Sequence, residues 1–368
     1  DKSYLNTTLS IDATSNKIIN DTLDFNKEDY FAFYRNSSLE GKQSLNVIYN
    51  NKINSRHLIK IGSYNQRKFV NLNDSVHIKQ DSILLPTNGY INIDEHWRQV
   101  TDYNGATYFV QPFVSWQYRI NEDIILNSGI HSQYFIYNNT FAIEPRAGLK
   151  WNINKLNNIA LAYGMHHQLA PTRLFFKQLE DNLGNLILDD NGDAYIANKN
   201  LKMTRSQHFV LSYNKSLSTN TRLKSELYYQ YLDKVPICES FKEYSILNYG
   251  GNFDLVFPDT LINEGSGRNY GLEITLEHFL HKGFYYLFTA SLYESKYTGY
   301  DKVERNTAFC GNYTTNLLLG KEFRFLKNKE KKQSESSLVT DIKFTLNGGQ
   351  RYVPINLSES QAAGRAVY

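Results

Sequence analysis

Two alternating runs folded about a tight turn, between Asn269 and Tyr297, constrain this chain more than any other stretch. In the first run Leu272, Ile274 and Leu276 share a face, opposite Glu273, Thr275 and Glu277. After His281-Lys282-Gly283, the second run sets Phe284, Tyr286, Phe288, Ala290 and Leu292 against Tyr285, Thr289, Ser291 and Tyr293. Side chains alternate across a strand, so period-two patterning marks extended chain. Strands of soluble domains peak near about five or six residues, whereas a tilted strand that crosses a bilayer needs roughly nine to eleven. The pattern predicts a transmembrane β-hairpin with one face toward lipid and one toward a lumen.

The rest of the chain repeats this unit. Tyr108, Val110, Val114, Trp116 and Tyr118 oppose Gln111, Ser115, Gln117 and Arg119. Ile124, Leu126, Ile130, Tyr134 and Ile136 oppose Asn127, His131 and Gln133. Ile143, Ala147, Leu149, Trp151 and Ile153 oppose Glu144, Arg146 and Lys150. Further strands are predicted at 44–50, 56–64, 159–165, 207–213, 223–231, 313–323 and 338–346, with weaker signals at 4–11 and 30–34 about a polar, Asn-rich loop. Long loops are expected at 67–104, 168–203 and 233–268. The total is about a dozen to fourteen strands, within the range of outer-membrane barrels.

A mean hydropathy of -0.50 gives no sign of a membrane helix, but only every second residue of a barrel strand has to be apolar. The chain holds 28 Tyr and 21 Phe, residues suited to strands and to membrane interfaces. A net charge of +3 is too small to imply nucleic acid, and Lys327 to Lys332 reads as a solvated turn. Cys238 and Cys310 are too few for a disulfide scaffold; both map to the long-loop side, where a bridge between them stays open. No signal peptide begins at Asp1. A barrel is exported, so a leader is expected ahead of this chain, and more strands are expected after it to close the edge.

Two regularities strengthen the barrel. Connections near 52, 121, 155, 217, 282 and 329 are short or modest and alternate with long ones, as periplasmic turns alternate with extracellular loops. Aromatic residues crowd the short turns: Trp116, Tyr118, Trp151, Tyr213, Phe279, Phe284, Phe323 and Phe325. They form a girdle on one side of the membrane.

Several stretches also match a known family in wording. Asn263-Glu264-Gly265-Ser266-Gly267-Arg268-Asn269-Tyr270-Gly271-Leu272-Glu273 and Ser291-Leu292-Tyr293-Glu294-Ser295-Lys296-Tyr297 resemble the TonB-dependent receptors of Bacteroidetes. So do Glu144-Pro145-Arg146, Asn198-Lys199-Asn200-Leu201, Arg305 to Phe309, Asn316 to Phe323 and Gly348 to Ile355. The resemblance runs from about Gly105 to Tyr368. It implies an all-β, antiparallel transmembrane barrel of about 22 strands with a plugged lumen. It further implies a plug domain and a TonB-contacting segment ahead of residue 1, so that 1–368 is a barrel fragment lacking plug, signal peptide and final strands. The implied activity is nutrient import (glycan, peptide or metal chelate) through the TonB complex, with a surface lipoprotein as a further partner. An outer-membrane binding protein or passive pore without energy coupling is the alternative.

No cofactor, metal or catalytic residue is expected. Glu144 and Arg146, two apart, face the lumen together and offer a ligand or plug contact, the plainer reading being an ion pair that braces the wall. His131, Glu273 and Tyr293 are further lumen-facing candidates. Glu273 and Glu277 lie about 13 Å apart along a strand, too far for a paired acid–base site. His166 and His167 point to opposite faces and cannot share a metal. Asp189-Asp190-Asn191-Gly192-Asp193 fails EF-hand spacing and reads as a tight turn.

Overall fold

A computed structural model describes residues 2–24, 29–78, 81–84, 90–93, 96–179, 186–249, 260–327, 335–351, 355 and 357–363. One antiparallel sheet of 14 strands carries the fold. In chain order its members are β1 (Ser3–Asp24), β2 (Asp29–Lys52), β3 (His57–Ile78), β6 (His96–Arg119), β7 (Ile124–Phe135), β8 (Thr140–Asn154), β9 (Asn157–Gln168), β10 (Thr204–Ser218), β11 (Thr221–Ile237), β12 (Ile262–His281), β13 (Phe284–Thr298), β15 (Tyr313–Lys327) and β16 (Glu335–Asn347). Each pairs with the next, and β14 (Glu304–Asn306) pairs with β13. A separate hairpin joins β4 (Asp81–Leu84) to β5 (Tyr90–Ile93). Short helices α1 (Thr172–Phe175) and α2 (Leu357–Ala363) complete the elements. No helix among the described residues is long and apolar enough to cross a membrane; the crossing elements are strands.

Register decides which side chains share a face. Leu211, Leu227, Leu272 and Leu292 are opposite one another across four neighbouring strands. They look outward, with Leu227 at 55% and Leu292 at 61% exposure. Leu149 and Leu161, Ile61, Val114 and Ile130, and Ile342 and Phe344 continue the same exposed apolar band. A soluble sheet would bury these residues; hydrocarbon solvates them. On β13 the band runs from Phe284 to Leu292, about 27 Å of strand, which at a tilt near 40° covers about 21 Å of membrane.

The band has different borders at its two ends. At the short-turn end Trp116 and Tyr118 stack with His57, ring centroids 5.8 and 4.6 Å away, while Tyr286 stacks on His278 at 5.3 Å. At the opposite end the outward face turns ionic: Arg205 pairs with Asp233, Arg268 with Glu304 and Lys296 with Glu294. Asn side chains shape the short turns. Asn54, Asn121 and Asn154 each accept two backbone N–H groups from the residues that follow, so an Asx turn replaces several residues of loop. At Lys282-Gly283 both central residues have positive φ, 52° and 74°, the geometry of a type I′ hairpin turn.

Several predicted loops are strands. The Asn-rich stretch after residue 11 belongs to a β1–β2 hairpin paired as far as Asp24 and Asp29. The loop expected at 67–104 is instead the continuation of β3 to Ile78 and the start of β6 at His96; 79–80, 85–89 and 94–95 lie outside the described residues. β2 alone is 24 residues long, about 80 Å of chain against a hydrocarbon layer of about 30 Å. These strands therefore project beyond the long-connection end. There the outward face meets water, and the covered inner face mixes polar Tyr34, Asn36, Ser38 and Asp74 with apolar Val70 and Leu72, so no sustained apolar alternation marks the strands in the sequence. The 233–268 loop is also shorter than expected, because β11 reaches Ile237 and β12 begins at Ile262; 250–259 lie outside the described residues. So do 180–185 of the 168–203 loop, 328–332 of the Lys-rich connection and Tyr352-Val353-Pro354.

Candidate functional site

The inner face is polar, and its most enclosed group is Glu144. The carboxylate has no exposure because four donors converge on it from three strands. Nδ1 of His131, directly opposite on β7, lies 2.7 Å from Oε2. Arg146 Nη2 donates to the same oxygen at 2.7 Å. Gln133 Nε2 donates to Oε1 at 2.6 Å, and the backbone N–H of His167 donates there too. A buried carboxylate needs this degree of satisfaction, since an unpaired charge in a low-dielectric wall is heavily penalised. The cluster ties β7, β8 and β9 together.

Below and beside it the wall opens into a groove of about 840 Å³ lined by Tyr64, Phe113, Gln111, His131, His166 and His208, among others. Tyr64 stacks on Phe113 at 5.3 Å. His166 meets His208 edge-on at 5.0 Å, and His208 is held by Ser206 at 2.8 Å and Gln230 at 3.0 Å. No spacing in the sequence brings these histidines together; antiparallel register does, by placing His208 opposite Gly164, two residues from His166.

Above the groove the chain folds back onto the wall. Leu174, Phe175 and Phe176, at and after α1, are each 1% exposed or less and pack on Val70, Leu72, Phe109, Phe135 and Ala142. Those five residues occupy inward positions of β3, β6, β7 and β8. Tyr103 stacks on Phe176 with centroids 3.7 Å apart, and Arg173 Nη2 donates to Asn36 Oδ1 at 3.1 Å. The result is an apolar shelf across the inner wall at the long-connection end.

Of the predicted lumen residues, the structure brings His131, Glu144 and Arg146 into one cluster. Glu273 and Tyr293 share the inner face but lie on β12 and β13, well away from it. Glu277 pairs with Arg222 at 2.6 Å and forms no site with Glu273. His166 lines the groove, while the His167 ring reaches the Glu144 carboxylate, its Nδ1 3.4 Å from Oε1. Asp189 Oδ1 accepts from the N–H groups of Asn191 and Asp193 about Gly192, at φ 84°, so this stretch is a turn. Cys238 and Cys310 are both buried, unbridged thiols. Among the described residues no group of three or more His, Cys, Asp or Glu is arranged to hold a metal ion.

No family model and no curated protein matches the sequence. Solved structures do match the fold. The siderophore receptor PiuA from Acinetobacter baumannii superposes with a TM-score of 0.54 at 9% identity, over 94% of this chain and 56% of that one. The ferric yersiniabactin uptake receptor FyuA from Yersinia pestis gives 0.53 at 9% identity, over 93% and 51%. The RagAB peptide transporter gives 0.52 at 10% identity, over 87% and 44%. This chain therefore spans about half the length of the structures it matches. The likeness establishes an outer-membrane β-barrel fold of the kind used by transporters and receptors, and the exposed apolar band agrees with a position in the outer membrane.

Proposed function

We propose that this chain is the larger part of the barrel of a TonB-dependent outer-membrane importer that carries a nutrient ligand into the periplasm. The observation that supports this reading most is the shelf: a long connection folded inward over a polar wall, narrowing the lumen where a ligand would enter. In this reading a plug domain and a TonB-contacting segment belong to parts of the protein outside residues 1–368, and further strands pair with the free edges of β1 and β16 to complete about 22. A surface lipoprotein is a further proposed partner, as the resemblance to the TonB-dependent receptors of Bacteroidetes implies. Arg146, with its side chain 44% exposed, Glu273 and Tyr293 are the proposed ligand-facing members of the wall, while Glu144 and His131 brace it.

Growth on, or uptake of, a limiting nutrient tests the reading in otherwise isogenic cells with and without TonB. Loss of uptake in both the receptor-deleted and TonB-deleted strains is expected. Receptor-dependent uptake that survives loss of TonB would establish the passive pore instead.

A further inference from the structure

Where β1, β2 and β3 rise beyond the apolar band, their inner face holds a row of charge that does not balance. Register sets Asp12 opposite Lys42, and Lys42 opposite Lys68. Two ammonium groups directly across neighbouring strands repel. Lys42 has a carboxylate partner, Asp12, at 3.6 Å. Lys68 is half-buried, with its ammonium over the face of Phe109, 5.2 Å from the ring centroid. No carboxylate lies within ion-pair distance of Lys68 among the described residues. The next row carries Glu40, opposite Val70, which has no ion-pair partner among the described residues either. These side chains line a recess of about 370 Å³, and Thr172 of the shelf closes one side of it.

The recess holds two carboxylates and two ammonium groups, yet Lys42 and Lys68 face each other across the strands and Lys68 has no carboxylate in contact. An anion placed between the two ammonium groups relieves their mutual repulsion. Glu40 on β2 and Lys68 on β3 stand on adjacent rows, so groups of opposite charge line the same recess. We propose that this recess is a binding site for a small zwitterion, a free amino acid or short peptide, whose carboxylate lies between Lys42 and Lys68 and whose ammonium faces Glu40. The site rests on the importer reading only for its role as an entry station; the binding chemistry stands without it.

Isothermal titration of the detergent-solubilised full-length receptor with dialanine, N-acetyl-dialanine and dialaninamide tests the site. Dialanine should bind most tightly, with each blocked form weaker by about tenfold or more. Lys68→Gln should weaken dialanine by a similar factor while leaving dialaninamide unchanged, and Lys68→Arg should restore binding. An unchanged melting temperature excludes misfolding of the variants. Equal affinity for all three probes, no binding of any, or indifference to Lys68→Gln overturns the proposal. TonB-dependent uptake of some other ligand alongside any of those results leaves the importer reading standing. Dialanine binding with uptake indifferent to TonB does the reverse.

Discussion

Replacing Glu144 by alanine separates a brace from a ligand contact. The carboxylate accepts from His131, Arg146, Gln133 and the His167 backbone. Each charge-assisted bond is worth about 1.5–3 kcal/mol in isolation, but the four share one charge and do not add. Removing one partner of a buried ionic cluster typically costs about 3–5 kcal/mol, because the groups left behind stay buried and unpaired. For Glu144→Ala this is two to nearly four decades in the unfolding equilibrium, taking about 1.4 kcal/mol per decade. Glu144→Gln keeps one acceptor but turns an amide N–H₂ toward donors, so it should fall between wild type and alanine. Urea unfolding of the full-length receptor in detergent micelles, followed by the fluorescence of Trp116 and Trp151 on the neighbouring strand ends, gives the midpoint and slope. A loss below about 1 kcal/mol for the alanine variant, the range of a surface ion pair, would refute the brace. It would mean that the carboxylate is solvated and free to meet a ligand.

Other expectations follow from the same geometry. Phe175→Ala should destabilise the shelf by about 3–5 kcal/mol, the usual cost of emptying an aromatic site in a core, and should appear as faster proteolysis between residues 169 and 203 with the barrel intact. Leu161→Arg, in the middle of the outward band, should cost about 2–4 kcal/mol in a lipid-embedded barrel, whereas Asn127→Arg on the inner face should be nearly neutral; equal costs in refolding titrations would contradict the assigned faces. In the connection after β13, hydrogen bonding from Arg305 holds the Asp301 carboxyl down to about 2. A depressed carboxyl stabilises the folded loop above its unfolded value and loses that contribution only as pH falls toward 2. Loop proteolysis by an acid-active protease should therefore be steady from pH 7 to 4 in the wild type, and faster throughout that range in Asp301→Asn.

The barrel was legible in the sequence wherever the chain meets lipid. Leu272, Leu292 and Trp151 must be apolar because hydrocarbon lies outside them, while their neighbours are free to be polar, and that contrast writes the strand, its face and its length into residue order. The short turns were legible for a similar reason: Asn54, Asn121, Asn154 and Lys282-Gly283 carry local chemistry that works without distant partners. The outermost reaches of β1, β2, β3 and β6 were not legible, since above the membrane the outward face meets water and the inner face, covered by the folded-back chain, mixes polar Asn36 and Asp74 with apolar Val70 and Leu72. The clusters on the wall were only half visible. Glu144 and Arg146 stand two apart and announce a shared face. Register alone carries Asp12, Lys42 and Lys68 into one row, and sets His208 beside His166. Leu174, Phe175 and Phe176 read as loop residues until the folded-back chain supplies the wall they pack against. Patterning along a strand is a local contract with the solvent, so one sequence can state it; pairing between strands tens of residues apart is settled only when the sheet closes those distances.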